Sequence, residues 1–166
     1  MSADRSSELR NVAPLEIGIA VGDLDAALAF YRDTLGLAEI SRIPTPPAKA
    51  IASGIARGGY TVVRLQMATG ERIKLFALDD GQSPGAERAT PLSGPGFAFL
   101  TLIVADIEAA VARLASAGAR IRARTVELRP GVRTALVDDP DGLIVEIVQY
   151  DDLTDYRPDL APAASG

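Results

Sequence analysis

The chain has 166 residues, with 17 Lys and Arg against 22 Asp and Glu for a formal net charge of −5, and it contains neither cysteine nor histidine. Those absences exclude disulfides, thiolate nucleophiles, Ser-His-Asp triads and every His- or Cys-ligated metal site. The acidic balance and the lack of a basic stripe argue against nucleic acid as a partner, and 48% hydrophobic residues suffice for a sizeable core.

Met1–Asn11 is a polar lead-in without an apolar h-region, so no secretory leader, no membrane association and a cytoplasmic location are expected. The alternation in Leu15–Val21 predicts a strand with Leu15, Ile17, Ile19 and Val21 on its core face and Glu16, Gly18 and Ala20 on the other. Asp23 is placed as a helix N-cap, Leu24, Ala27, Leu28, Tyr31 and Leu35 recur at helical spacing, and Gly36 stops the helix. Of the adjacent Phe30 and Tyr31, one is expected in the core and one at its rim. Leu37–Ile43 reads as a short strand and Pro44–Gly59 as an excursion with a short helix near Ala48–Ile55, a candidate lid. Tyr60–Met67 and Arg72–Leu78 form a hairpin around Ala68-Thr69-Gly70-Glu71.

Residues 79–96 are rich in turn formers and predict a linker. Beyond it come a strand over Phe97–Val104, Asp106 as N-cap, a helix over Ile107–Ala117 and Gly118 as its stop. Strands follow at Ala119–Thr125, Val132–Val137 and Leu143–Gln149, the last two separated by Asp139-Pro140-Asp141-Gly142, whose acids read as turn formers. The five arginines between Arg120 and Arg133 are expected on a solvated face, although Arg133 is also a candidate for the cavity mouth. Asp151–Gly166 has no periodicity and reads as a flexible or surface-wrapping tail.

The second half thus repeats the first: Val21-Gly22-Asp23-Leu24-Asp25-Ala26-Ala27-Leu28 lies without a gap over Val104-Ala105-Asp106-Ile107-Glu108-Ala109-Ala110-Val111. The fold class is α+β, with two tandem βαβββ modules forming a curved mixed sheet around a central cavity. Residues 12–78 make the first module, 79–96 the linker, 97–150 the second module and 151–166 the tail. Strand alternation assigns Ile73, Leu75 and Ala77 to the helix side and Arg72, Lys74 and Phe76 to the concave side. By the same logic Val62, Arg64, Gln66, Phe97, Phe99, Thr101, Ile144, Glu146 and Val148 face the cavity.

This order, together with Ala29-Phe30-Tyr31-Arg32-Asp33 and Asp139-Pro140-Asp141-Gly142, resembles the vicinal oxygen chelate superfamily. That group includes glyoxalase I, extradiol dioxygenases and bleomycin-binding proteins. The resemblance spans roughly residues 15–150. It implies four inward-facing positions that in metal-dependent members carry His, Glu, His and Glu. Carried over, these fall on Glu16, Lys74, Phe99 and Glu146, with Glu16 as far ahead of Asp23 as Phe99 is ahead of Asp106. An ammonium has no lone pair to offer and a phenyl ring is no ligand, so neither a metal nor another cofactor is expected.

Three functions compete. The first is an enzyme of isomerase or lyase type, performing metal-independent proton transfer on a small anionic carbonyl compound. Glu16, Lys74 and Glu146 would be catalytic, and Arg64, Gln66, Arg72, Phe76, Phe97, Phe99, Thr101 and Ile144 would bind substrate. The second is a non-catalytic protein that sequesters an aromatic or drug-like ligand between phenylalanines. The third uses a metal held by Glu16, Gln66 and Glu146. In the first reading Lys74 holds an enolate or moves a proton; in the plainer one it only neutralises two carboxylates. A small-molecule ligand and a homodimer are expected, the latter because each four-stranded sheet leaves open edges.

Overall fold

The computed structural model describes residues 13–81, 91–92 and 96–160; the polar lead-in and most of the expected linker lie outside the described residues. Its architecture is α+β, built on two four-stranded mixed sheets of identical topology. In the first, β1 (Glu16–Ala20), β4 (Arg72–Leu78), β3 (Tyr60–Gln66) and β2 (Ala38–Thr45) are adjacent in that order. The second repeats it with β5 (Leu100–Ile103), β8 (Ile144–Tyr150), β7 (Val132–Asp138) and β6 (Arg120–Arg129). In each, the first strand pairs parallel with the last and the other pairings are antiparallel. The repeat in sequence is therefore a repeat in topology.

The β3–β4 hairpin closes through Met67 N–H donating to the Glu71 carbonyl at 2.9 Å. Gly70 takes φ +103° there, a conformation that a side chain would strain. Alternation sorts β3 and β4 as expected: Val63, Leu65, Ile73 and Leu75 are buried, while Arg64, Gln66, Arg72 and Lys74 are half-buried. Leu15 departs from its expected core face. It precedes β1 and is exposed.

The first helix is not α-helical throughout. α1 (Leu24–Leu28) continues as a turn of π-helix over Ala29–Thr34, with Leu35 N–H reaching the Phe30 carbonyl at 3.0 Å. Phe30 and Tyr31 are both buried in this turn, and their rings meet edge-to-face at 4.9 Å. This corrects the assignment of one of them to the rim. α2 (Pro47–Ala52) is the short helix of the Pro-rich excursion, and α3 (Ile107–Ser116) begins at Asp106, whose side chain accepts from Ala109 N–H at 3.0 Å. Gln149 accepts a second free amide of that end, Ile107 N–H, at 2.9 Å. Residues 151–160, the described part of the expected tail, carry short regular elements. Asp152 caps α4 (Leu153–Tyr156), and a 3₁₀ turn follows at Pro158–Leu160.

The chain divides into two compact units, one comprising Met1–Leu24 with Gly36–Gln82, the other Asp25–Leu35 with Ser83–Gly166. The packing units and the two sequence copies are thus different divisions of the chain. The helix that follows β1 is counted with the second sheet.

Candidate functional site

On the first unit, register and alternation gather most of the expected polar residues on one sheet face. Glu16 lies beside Arg72 and Gly18 beside Lys74 between the parallel strands; Gln66 lies opposite Arg72 and Arg64 opposite Lys74 across the hairpin. Glu16 Oε2 is 3.4 Å from Lys74 Nζ, and its Oε1 is 3.6 Å from Arg72 Nη1. Arg72 Nε donates to Gln66 Oε1 at 2.7 Å, and Arg64 Nη1 donates to Ser41 Oγ at 3.3 Å. Among the described residues of these strands, Arg64, Arg72 and Lys74 share this face with the Glu16 carboxylate. The side chains of Glu16 and Lys74 are 33% and 28% exposed, so the cluster is wet. Solvent screening leaves an ion pair of that exposure little weight in folding.

The other end of the same face is closed. Ala50 of α2 packs on Tyr60 and Val62, with Phe76 and Leu78 against the cluster, and the Tyr60 and Phe76 rings are 5.5 Å apart. Gly18 makes room for Phe76: a Cβ at that position would come within 3.1 Å of ring atom Cε2. The excursion therefore covers the apolar end of the face, and the cationic end stays open.

On the second unit Glu146 is the central group. Its Oε2 accepts from Thr101 Oγ1 at 2.8 Å and its Oε1 from Thr134 Oγ1 at 3.0 Å. No lysine or arginine among the described residues forms an ion pair with it. Two cavities border it. One of about 340 Å³ is lined by Thr101, Ile103, Val148, Tyr150 and Arg157. The other, of about 370 Å³, is mostly apolar and is lined by Leu92, Phe99, Val126, Leu128 and Leu136.

Phe99 lines the apolar cavity together with Glu146. Phe97 precedes β5 in irregular backbone and is 51% exposed, and Ile144 is buried in the core at the start of β8. Arg133 pairs with Asp151 at 3.4 Å. Glu16, Lys74, Arg64, Gln66, Arg72 and Phe76 belong to the first unit; Phe97, Phe99, Thr101, Ile144 and Glu146 belong to the second.

The sequence reads Asp139 as a turn former, but the burial of Asp138 and Asp139 on the second unit, and their long-range partners, escape it. Asp138 is 4% exposed and is clamped by Arg122, whose Nε and Nη2 donate at 2.6 and 3.0 Å, with Arg120 at 3.5 Å. Arg122, only 12% exposed, corrects the expectation that the arginines of this stretch form a solvated face. Register sets Arg120 opposite Asp138, while Arg122 sits at the irregularity between Ile121 and Ala123, so no spacing in the sequence signals the clamp. Asp139 Oδ2 accepts from the Tyr31 hydroxyl at 2.8 Å, and its Oδ1 accepts from Asp141 N–H and Leu143 N–H. Burial pushes the Asp139 carboxyl above its ordinary value, against the lowering effect of those three donors. Burial, with the charge of Asp139, pushes the Tyr31 phenol far up, so it stays a donor. A cavity of about 490 Å³ beside these residues is lined by Ala29, Phe30, Arg120, Asp138 and Asp139 and contains none of the expected site residues.

The donor set does not suit a divalent metal. At the four positions the resemblance points to, Lys74 offers an ammonium already against Glu16, and Phe99 a hydrocarbon ring. Among the described residues no group of three or more Asp or Glu side chains is arranged to hold an ion.

Residues 13–147 match the sequence profile of the Glyoxalase/Bleomycin resistance protein/Dioxygenase superfamily. The structure is similar to a glyoxalase family protein of Bacillus cereus, with a TM-score of 0.74 and 19% identity over 87% of this chain and 97% of that one. It is similar also to the trypanothione-dependent glyoxalase I of Leishmania major, with a TM-score of 0.63, 22% identity and coverage of 87% and 91%. A glyoxalase/bleomycin resistance protein/dioxygenase domain from Frankia sp. gives a TM-score of 0.62 at 23% identity, covering 86% and 93%. At these identities the likeness is one of fold. No curated protein matches the chain by sequence.

Proposed function

The chain belongs to the Glyoxalase/Bleomycin resistance protein/Dioxygenase superfamily, and on that premise we propose that it is a small-molecule enzyme acting on an anionic carbonyl compound without a metal. The reaction class is proton transfer, of isomerase or lyase type. The observation that carries this reading is the excess of positive charge on the open end of the first sheet face, where Arg72 and Lys74 flank Glu16 and Arg64 lies opposite Lys74. Lys74 Nζ stabilises a developing enolate oxygen, and Glu16, held at 3.4 Å from it, moves the proton. Arg64 and Arg72 hold the substrate's carboxylate, and Phe76 supports its apolar part. Glu146, the other carboxylate of the expected catalytic set, belongs to the second unit and takes no part in the proposed step.

The test is proton NMR in D₂O with a panel of small 2-oxo and 3-oxo carboxylates. Wild type should exchange protons beside the carbonyl, and Lys74→Met and Glu16→Gln should each lower that rate at least a hundredfold. Absence of exchange across the panel, or full activity in both variants, overturns the reading.

A specific observation favours a second reading, sequestration of an aromatic ligand. The apolar cavity of about 370 Å³ beside Phe99 offers a planar molecule walls without chemistry. Saturable binding of neutral aromatics, indifferent to Lys74→Met, would support it. A homodimer remains part of the proposal, resting on the open edge strands β2 and β6. Light scattering giving a monomer mass at micromolar concentration would overturn that element.

A further inference from the structure

The cavity of about 340 Å³ on the second unit combines features that the anion-handling reading does not use. Its floor is Glu146, a half-buried carboxylate whose partners are the neutral hydroxyls of Thr101 and Thr134. Two hydroxyl donors fix the plane of the carboxylate and leave lone pairs for further donors. Ile103, Val132 and Val148 supply apolar wall. The end is closed by Tyr150 and Tyr156, stacked at 4.5 Å with their planes 9° apart.

Two arginines complete the lining. Arg157 is occupied by Asp159, 2.7 Å from its Nη2. The guanidinium of Arg129 forms no hydrogen bond or ion pair among the described residues. One cavity therefore carries a carboxylate and a guanidinium that make no ion pair among the described residues, Arg129 also bordering an adjoining cavity with Asp151, Asp152 and Asp155. Tyr150 lines the same cavity as both: burial and the Tyr156 hydroxyl push its phenol up, Arg129 opposes them and Glu146 adds to the rise.

We propose that this cavity binds a small zwitterion of amino-acid type with an apolar side chain. The ammonium docks on Glu146, the carboxylate on Arg129, and the side chain lies along Ile103 and Val148 toward the Tyr150 ring. A simple anion would meet Glu146 without a compensating donor, and a simple cation would leave Arg129 facing it. Only a ligand carrying both charges satisfies both ends. The inference stands independently of the chemistry assigned to the first unit.

The experiment is calorimetric titration of the full chain with L-phenylalanine, with phenethylamine, which lacks the carboxylate, and with 3-phenylpropanoate, which lacks the ammonium. L-Phenylalanine should bind saturably, and each truncated probe at least tenfold more weakly. Glu146→Gln should weaken L-phenylalanine at least tenfold. Arg129→Gln, a change at an exposed position, should reduce it to the level of phenethylamine with an unchanged melting temperature. Lys74→Met, titrated alongside, reads the anion-handling reading separately and should keep wild-type affinity for L-phenylalanine. No saturable heat with L-phenylalanine overturns the inference. So do 3-phenylpropanoate binding as tightly as L-phenylalanine, wild-type affinity in both cavity variants, or equal loss in Lys74→Met.

Discussion

The Tyr31 hydroxyl donates to Asp139 Oδ2 at 2.8 Å, joining residues 108 positions apart in the chain. It fastens the π-helical turn of the first sequence copy to the Asp-Pro-Asp-Gly turn of the second, inside one packing unit. Two motifs that are weak signals separately are thus two ends of one hydrogen bond.

Tyr31→Phe should destabilise the protein by about 1–3 kcal/mol, because a buried carboxylate oxygen loses its donor while the ring still fills its place. Denaturant melts with an unchanged m-value would check this. A change within error of zero would show that Asp139 finds another donor.

Asp139 also gives a pH signature. Burial holds its folded-state value above its ordinary 3.8, so its contribution is fully present below that value and is lost as pH rises through the folded one. The stability of wild type relative to Asp139→Asn should therefore rise as pH falls from neutral toward 3.8. Chemical denaturation across that window measures it, and a constant difference would contradict the stated burial effect.

Lys74→Met and Arg122→Met should behave oppositely. Lys74 belongs to a solvent-screened pair, so its loss should cost less than about 1 kcal/mol while removing anion affinity. Arg122 clamps a carboxylate that is 4% exposed, and its loss should cost on the order of 3–5 kcal/mol, less whatever Arg120 recovers. A steep fall in melting temperature for Lys74→Met, with no separable binding defect, would make that lysine a charge-neutraliser only.

Protein purified without chelator should contain well under one equivalent of zinc, nickel, manganese or iron per chain by elemental analysis. The ammonium of Lys74 and the ring of Phe99 at the expected ligand positions are the reason. A full equivalent of any of them would sink the metal-free reading.

Gly18→Ala should shift the Phe76 ring, since the added methyl carbon would come within 3.1 Å of it. Packing between Phe76 and Tyr60 is then disturbed, and ligand selectivity on that face should change more than stability does. Unaltered relative affinities across a series of carboxylates of increasing bulk would show that Phe76 takes no part in recognition.

Alternation made the strands legible because a sheet with one buried face enforces a period of two: Val63, Leu65, Ile73 and Leu75 went inward as read. The cationic face followed from the same rule. Leu15 misled because its position lies just outside the ladder and is exposed. Phe30 and Tyr31 misled because helical spacing assumes a 3.6-residue turn, and a π-turn changes the count. The Arg122–Asp138 clamp was hidden because its partners are joined only by strand register, which a bulged β6–β7 pairing obscures. α4 was hidden by its brevity, since four residues carry no period.

The assignment of Asp25–Leu35 to the second unit bears on how the protein leaves the ribosome. The segment is made before the strands it belongs with, which come after residue 99, and before the turn that accepts Tyr31. Translation must therefore carry an amphipathic helix with two aromatic rings unsheltered until the second copy emerges. Neither copy can be expressed alone without losing a structural member: the second would lack that helix, and the first would carry it without its seat.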